Sequence, residues 1–207
     1  MDFVHPVRAV IPGAQGRVLA ILAETTADLN LRTLARLAGV SVAQASRVMP
    51  DLVELGLVER HEVPPSSQFR LNHENVAAQA ILDISRSRDA ALHRIGIAAD
   101  SLSISPVSIV VFGSLARGEA DSQSDIDVVI VRPDETAEDD DVWAADVERW
   151  RSEARAITGN RVEVLEVSHH EVRARLAGNS TLWSDIVRDG VTVHGLAIDE
   201  LMEPVHA

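Results

Sequence analysis

A chain of 207 residues, 46% of them hydrophobic, can build one large domain or two modest ones with real cores. The absence of cysteine excludes a disulfide framework and any thiolate metal site. A net charge of −13 argues against a protein coated in nucleic acid, yet the charge is uneven: residues 1–75 hold seven Arg and eight acids, residues 76–207 twelve Arg and twenty-four acids. A near-neutral part joined to a strongly acidic one predicts two domains with different partners. No apolar run approaches the roughly 20 residues of a membrane span, and MDFVHPVRAV lacks a basic stretch followed by an apolar one. A cytoplasmic protein without a membrane partner is expected.

From Gly16, RVLAILAE carries the apolar spacing of a buried helix that ends before Thr25-Thr26. LRTLARLAGV predicts a second helix, with Asn30 as its N-cap and Gly39 as its stop. Ser41 and Gln44 have the form of a capping box opening a third helix, SVAQASRVMPDLVELG, which Gly56 ends and in which Pro50 removes one backbone bond. LVERHEV and SQFRLN then read as a hairpin about Pro64-Pro65-Ser66.

Three short helices and a hairpin resemble the winged helix-turn-helix domain of bacterial transcriptional regulators over about residues 13–72, and DLVELGLVER is similar to that family's join of third helix to first wing strand. The resemblance implies that the third helix enters the major groove. Ser41, Gln44, Ser46 and Arg47 would then contact bases and phosphates, with Arg70 or His61 from the wing on the DNA backbone. Seven Arg against eight acids is a weak electrostatic footprint, so a homodimer is expected to gather the affinity. Such domains also serve as protein-contact modules, and both uses stay open.

Residues 75–100 predict one connecting helix, from about Asn75 to Ala99, too apolar for a flexible linker. Beyond it lies SIVVFGSLARGEADSQSDIDVVIV, residues 108–131: a strand, a Gly113-Ser114 turn, a short helix, then a strand carrying Asp125 and Asp127. Glycine lets a phosphate approach the backbone, and Ser114 adds a hydroxyl and an N–H at a helix start. Arg117 could pair with a phosphate, or with Glu119 or Asp121. Two carboxylates two apart on a strand share one face and are costly together unless a cation sits between them, which suits Mg²⁺ or Mn²⁺. NRVEVLEVS offers a third carboxylate, and Glu163, flanked by valines, is the expected one.

Gly113-Ser114, ten residues, then Asp125-Ile126-Asp127 resembles the signature of the polymerase-β-like nucleotidyltransferase superfamily, closest to its minimal branch, over roughly residues 85–195. The resemblance implies a mixed sheet flanked by helices and two divalent ions held by Asp125, Asp127 and Glu163. Gly113, Ser114 and Arg117 would hold the NTP, with ATP expected, and a nucleoside monophosphate would pass to an acceptor hydroxyl. Glu163 stands where the family usually has an aspartate, a departure that bears on turnover.

The acidic run from Asp134 to Asp141 reads as a solvated loop before the helix DVWAADVERWRSEARAIT. Ser168-His169-His170-Glu171 has the form of another capping box rather than a metal site, Trp183 reads as core, and residues after Ala197 read as a tail. The expected architecture is α/β in the broad α+β sense: a winged helix-turn-helix in 1–74, a connecting helix in 75–100 and a nucleotidyltransferase fold in 101–207. Two functions follow from it. One is a nucleotidyltransferase acting on a protein, RNA or other nucleic-acid acceptor, antitoxin-like by family resemblance. The other is a DNA-binding regulator whose second domain only senses nucleotide.

Overall fold

The structure, a computed structural model, describes residues 1–203. Its contacts divide the chain into two units: Val4–Ser87 with Asp2, and Arg88 onward with Met1 and Phe3.

The first unit runs α1 (Pro6–Val10), α2 (Gly13–Ala23), β1 (Leu29–Asn30), α3 (Leu31–Leu37), α4 (Val42–Glu54), β2 (Val58–Val63), β3 (Ser66–Leu71) and α5 (Val76–Ser85). The starts of α3 and α4 are fixed locally, as the sequence predicts. Asn30 Oδ1 accepts from the Thr33 N–H at 2.9 Å, and Ser41 and Gln44 exchange side-chain bonds with each other's backbone at 3.1 and 2.9 Å. Three strands pair antiparallel in the order β1-β3-β2. Ala45, Met49 and Leu52, spaced along one face of α4, are buried, and Met49 and Leu52 meet Leu19, Leu22, Leu34, Phe69 and Leu71 in one core, while Pro50 lies on the exposed side where its missing N–H disturbs no packing. The short α1 was not expected from the sequence.

The single helix expected across 75–99 is two helices, α5 and then α6 (Ser87–Ala98). The break falls at Arg86 (φ −98°, ψ 15°), and the Ser85 hydroxyl donates to the Leu82 carbonyl at 2.7 Å, the back-bonding that lets serine compete with a helix.

The second unit continues with β4 (Ser108–Phe112), α7 (Gly113–Arg117), β5 (Ile126–Arg132), α8 (Asp141–Thr158), β6 (Val162–Ser168), α9 (His169–Leu176), α10 (Thr181–Asp189), β7 (Val191–Gly195) and α11 (Ile198–Met202). The sheet order is β6-β5-β4-β7, with β5 parallel to β6 and the other pairs antiparallel, so the expected mixed sheet is present. Strand alternation divides the packing. Ile109, Val111, Ile126, Val128 and Ile130 face Trp143 and Trp150, whereas Val110, Val129, Val131 and Val167 face Val172, Trp183 and Ile186. Asp140 caps α8 through the N–H groups of Val142 and Trp143, both at 2.9 Å, and Ser168 caps α9 through that of Glu171 at 3.3 Å. Part of the expected tail is α11, whose Leu201 is buried against the second of these cores; residues 204–207 lie outside the described residues. Among the described residues no helix is long and apolar enough to cross a membrane.

Candidate functional site

Gly113 follows the last residue of β4, and its φ of +68° turns the chain sharply into α7. Phe112 pairs with Asp127 across β4 and β5, so Asp127 stands beside the turn. The contact is close: a Cβ on Gly113 would lie 2.3 Å from Asp127 Oδ2. On its other side Asp127 pairs with Glu163 of β6, which places the carboxylate chosen from sequence on the same face of the sheet. Asp125 lies just before β5 rather than on it, and is exposed; Ile126 is fully buried, as its position between the two acids requires.

The three acids act on one another. Burial pushes the Asp127 carboxyl above the usual aspartate range, Asp125 and Glu163 push it further, and Arg117 opposes them. The helix that carries Ser114 is only five residues long, so the aid of its dipole to an anion is small. Arg117 Nε donates to Glu119 at 2.8 Å, the ion-pair alternative read from the sequence, and its field still reaches Asp127.

Glu163 Oε1 lies 2.6 Å from Arg161 Nε but accepts no hydrogen bond from it: the two charges touch without alignment, and the oxygen is buried. Turned toward Arg161, Glu163 does not close a three-acid centre with Asp125 and Asp127. Among the described residues no group of three His, Asp or Glu side chains is placed to hold a metal ion. Residues that could still hold one are the same three acids, all oxygen donors.

Two polar residues that sequence reasoning missed hold the frame. Asn160, 3% exposed, donates from Nδ2 to the carbonyls of Asp121 and Ser124, both at 2.9 Å, and fixes the loop that leads into Asp125. Asp146, 1% exposed, accepts from the N–H groups of Ser103 and Ile104 at 2.6 and 3.0 Å and pairs with Arg149, fixing the loop before β4. A polar residue just past a helix-stopping glycine was a signal for Asn160. Asp146 had none, sitting among the other acids of an acidic helix. His169 and His170 join no metal cluster, and the His170 N–H donates to Asp134 at 2.8 Å.

In the first unit Ser41, Gln44, Ser46, Arg47 and Arg70 are all exposed. Their freedom differs. Ser41 and Gln44 are engaged in the α4 cap, and Arg70 Nε sits 2.6 Å from Glu59 Oε2, which also takes His61 at 3.3 Å. Arg47 has no ion-pair partner among the described residues. A groove of about 980 Å³ opens between the start of α3, α4 and the hairpin, lined by Leu31, Val42, Met49, Val53 and Phe69 together with Arg32 and Ser46. Arg32 is a cation on this face that the sequence reading passed over.

Residues 97–182 match the nucleotidyltransferase domain family, and residues 16–62 match the IclR helix-turn-helix domain family. Among solved structures, RV1404 from Mycobacterium tuberculosis shares 26% identity over 42% of this chain and 64% of that chain, with a TM-score of 0.32; the chain thus spans less than two thirds of that protein. A toxin-antitoxin solved with AMP-PNP shares 15% identity over 54% of this chain and 80% of that chain, with a TM-score of 0.38. No curated protein matches the chain. The chain therefore joins an IclR-type helix-turn-helix domain to a nucleotidyltransferase domain, in that order.

Proposed function

We propose that the second unit is a Mg²⁺- or Mn²⁺-dependent nucleotidyltransferase that moves a nucleoside monophosphate from an NTP, ATP foremost, to a hydroxyl of a protein or nucleic acid. The observation that carries this reading is Asp127: packed on Gly113, raised in pKa by burial, and flanked by Asp125 and Glu163. Three mutually repelling carboxylates beside a glycine turn suit a bound cation and a phosphate chain. The buried Glu163 Oε1, which accepts no hydrogen bond, is a ready oxygen donor for such an ion. When bound, the cation neutralises the triphosphate and the leaving pyrophosphate.

The chain's own residues orient and take the proton. The backbone of Gly113 and Ser114 holds the triphosphate, and Arg117 turns from Glu119 toward it. The acceptor oxygen attacks the α-phosphorus, its O–P bond forming as the bond to pyrophosphate breaks, and Glu163 takes the hydroxyl proton. The first unit binds DNA through Arg47 and Arg32, as a dimer, in an antitoxin-like cytoplasmic setting. The test is incubation with labelled ATP, GTP, CTP or UTP, Mg²⁺ and cell lysate. Label on a macromolecule with wild type and none with Asp127→Ala supports transfer; equal label from both proteins refutes it.

One observation favours a second reading. Glu163 is turned to Arg161, which suits a unit that binds nucleotide without turnover and lets the helix-turn-helix act as a regulator. Under that reading NTP binds, no label is transferred, and DNA affinity changes with nucleotide.

A further inference from the structure

The segment that joins Gly113-Ser114 to Asp125 is held from outside at three carbonyls. Arg88 Nε donates to the Leu115 carbonyl at 2.8 Å, Nη2 donates to that of Ala116, and Nη1 meets Asp89 at 3.0 Å. The Phe3 N–H donates to the Ala120 carbonyl at 2.9 Å, and the Phe3 ring is buried in the core that contains Leu115 and Ala120. The last carbonyls of a helix have no partner within it and must find one elsewhere. In the five-residue α7 the N–H groups of Gly118 and Glu119 reach back to Leu115 and Ser114, and Arg88 adds the bonds to Leu115 and Ala116. A planar guanidinium can span two adjacent carbonyls at fixed geometry, which a lysine cannot reproduce.

Both anchors belong to the second unit and flank the first in the chain. Phe3 precedes Val4, where that unit takes up the chain, and Arg88 follows Ser87, where it gives the chain back. The helix-turn-helix unit is thus spliced into the chain between two residues that both grip the segment following the Gly113-Ser114 turn.

We propose that Arg88 is a positioning residue for the Gly113-Ser114 turn, with Phe3 as the second anchor. The proposal rests on the reading of this turn as the NTP-binding element. Arg88 bonds only to main-chain carbonyls and Asp89, so it acts through the turn rather than on the reacting atoms. Its loss then weakens NTP binding more than it slows transfer.

The test uses the full chain as Arg88→Ala and Arg88→Lys, with Asp89→Ala as control, and reads amide hydrogen exchange without ligand together with Mg-ATP affinity. In Arg88→Ala, exchange at residues 114–120 is expected to rise about 10-fold while β5 and α8 keep the parent's rates. KM for ATP is expected to rise about 10-fold with kcat within about 3-fold, millimolar guanidinium restoring part of the loss and Arg88→Lys lying between. Asp89→Ala stays at the parent's values. Unchanged exchange at 114–120, or a rise shared equally by β5 and α8, overturns the proposal. A parent protein that binds no Mg-ATP removes the NTP reading instead, and the exchange comparison still decides whether Arg88 holds the turn.

Discussion

Asp127 Oδ2 occupies the space where a side chain on Gly113 would begin, 2.3 Å from an ideal Cβ. The two halves of the candidate site, fourteen positions apart in sequence, are thereby one packed unit: the carboxylate can stand beside the turn only because the turn is glycine. Gly113→Ala meets both this overlap and a φ of +68°. It is expected to destabilise the second unit by about 1–3 kcal/mol and to abolish NTP binding by displacing Asp127. All three tryptophans lie in this unit and are buried, so their fluorescence in a urea titration reports its unfolding. A variant with the parent's midpoint and NTP affinity contradicts the packing argument.

The raised pKa of Asp127 gives a stability prediction with a definite sign. Because the folded carboxyl holds its proton to higher pH than the unfolded one, its ionisation opposes folding. Stability falls as pH rises from the ordinary aspartate range through the raised folded value. Asp127→Asn should therefore raise the metal-free Tm at pH 7, on the order of 2 °C for a chain of this size, and the gain should vanish below pH 4. Mg²⁺ should raise the parent's Tm and leave the variant's unchanged. Scanning calorimetry at several pH values checks both, and a lower Tm for the variant at pH 7 contradicts the electrostatic account.

Much of this site was legible because its signals are local. Asn30, Ser41-Gln44, Ser168 and the glycines at 39, 56 and 113 declare helix starts and turns within a few residues, and the apolar runs at 109–112 and 128–131 declare their strands. The choice of Glu163 over Glu166 could be made from flanking valines, and register then sets Glu163 against Asp127 while Glu166 pairs with Arg132 at 2.7 Å. What stayed hidden depends on which side chain reaches which. Arg161 and Glu163 are two apart at the start of β6, and Arg117 and Glu119 are two apart across the end of α7, so each pair was available in sequence; only packing decides whether the acid faces its neighbour or the site. The break at Arg86 was hidden for a similar reason, since Ser85 can continue a helix or back-bond out of one.

Arg161 competes with any cation for Glu163. Removing it with Arg161→Ala frees a carboxylate that already stands in register with Asp127, so Mn²⁺ affinity, read by titration calorimetry in the full chain, should tighten several-fold. Glu163→Gln should weaken it and make Arg161→Ala silent in the double variant, the coupling expected of residues that act through one contact. Independent, additive effects would show that Arg161 and Glu163 do not compete at this site.

Asp146 supplies a prediction apart from the site. Burial raises the pKa of its carboxyl, but the N–H groups of Ile104 and Ser103 and the Arg149 guanidinium outweigh burial and hold it below the usual range. Its contribution is present above the ordinary aspartate pKa and is lost as pH falls through the lowered value. Asp146→Ala removes the buried acceptor of the Ser103 and Ile104 N–H groups, which lie in a partly exposed loop, and should cost about 1–3 kcal/mol, measured by the same tryptophan-monitored urea titration. A loss below 1 kcal/mol would mean that water replaces the carboxylate.

In the helix-turn-helix unit the arginines divide by what already holds them. Arg47 is unpaired among the described residues, whereas Arg70 is held at 2.6 Å by Glu59, whose carboxyl is kept below its usual range first by that hydrogen bond and then by His61. A phosphate must displace Glu59 to reach Arg70, but nothing stands in the way at Arg47. On a duplex oligonucleotide, Arg47→Ala should therefore weaken binding and flatten the salt dependence by a slope of about 1, while Arg70→Ala changes little. Glu59→Gln should do the opposite, releasing Arg70 and tightening binding while steepening the salt slope by about 1. Fluorescence anisotropy across a salt series separates these outcomes. Equal losses from Arg47→Ala and Arg70→Ala would show that the Glu59 pair opens freely, and no response from any of the three would leave this face to a protein partner rather than to DNA.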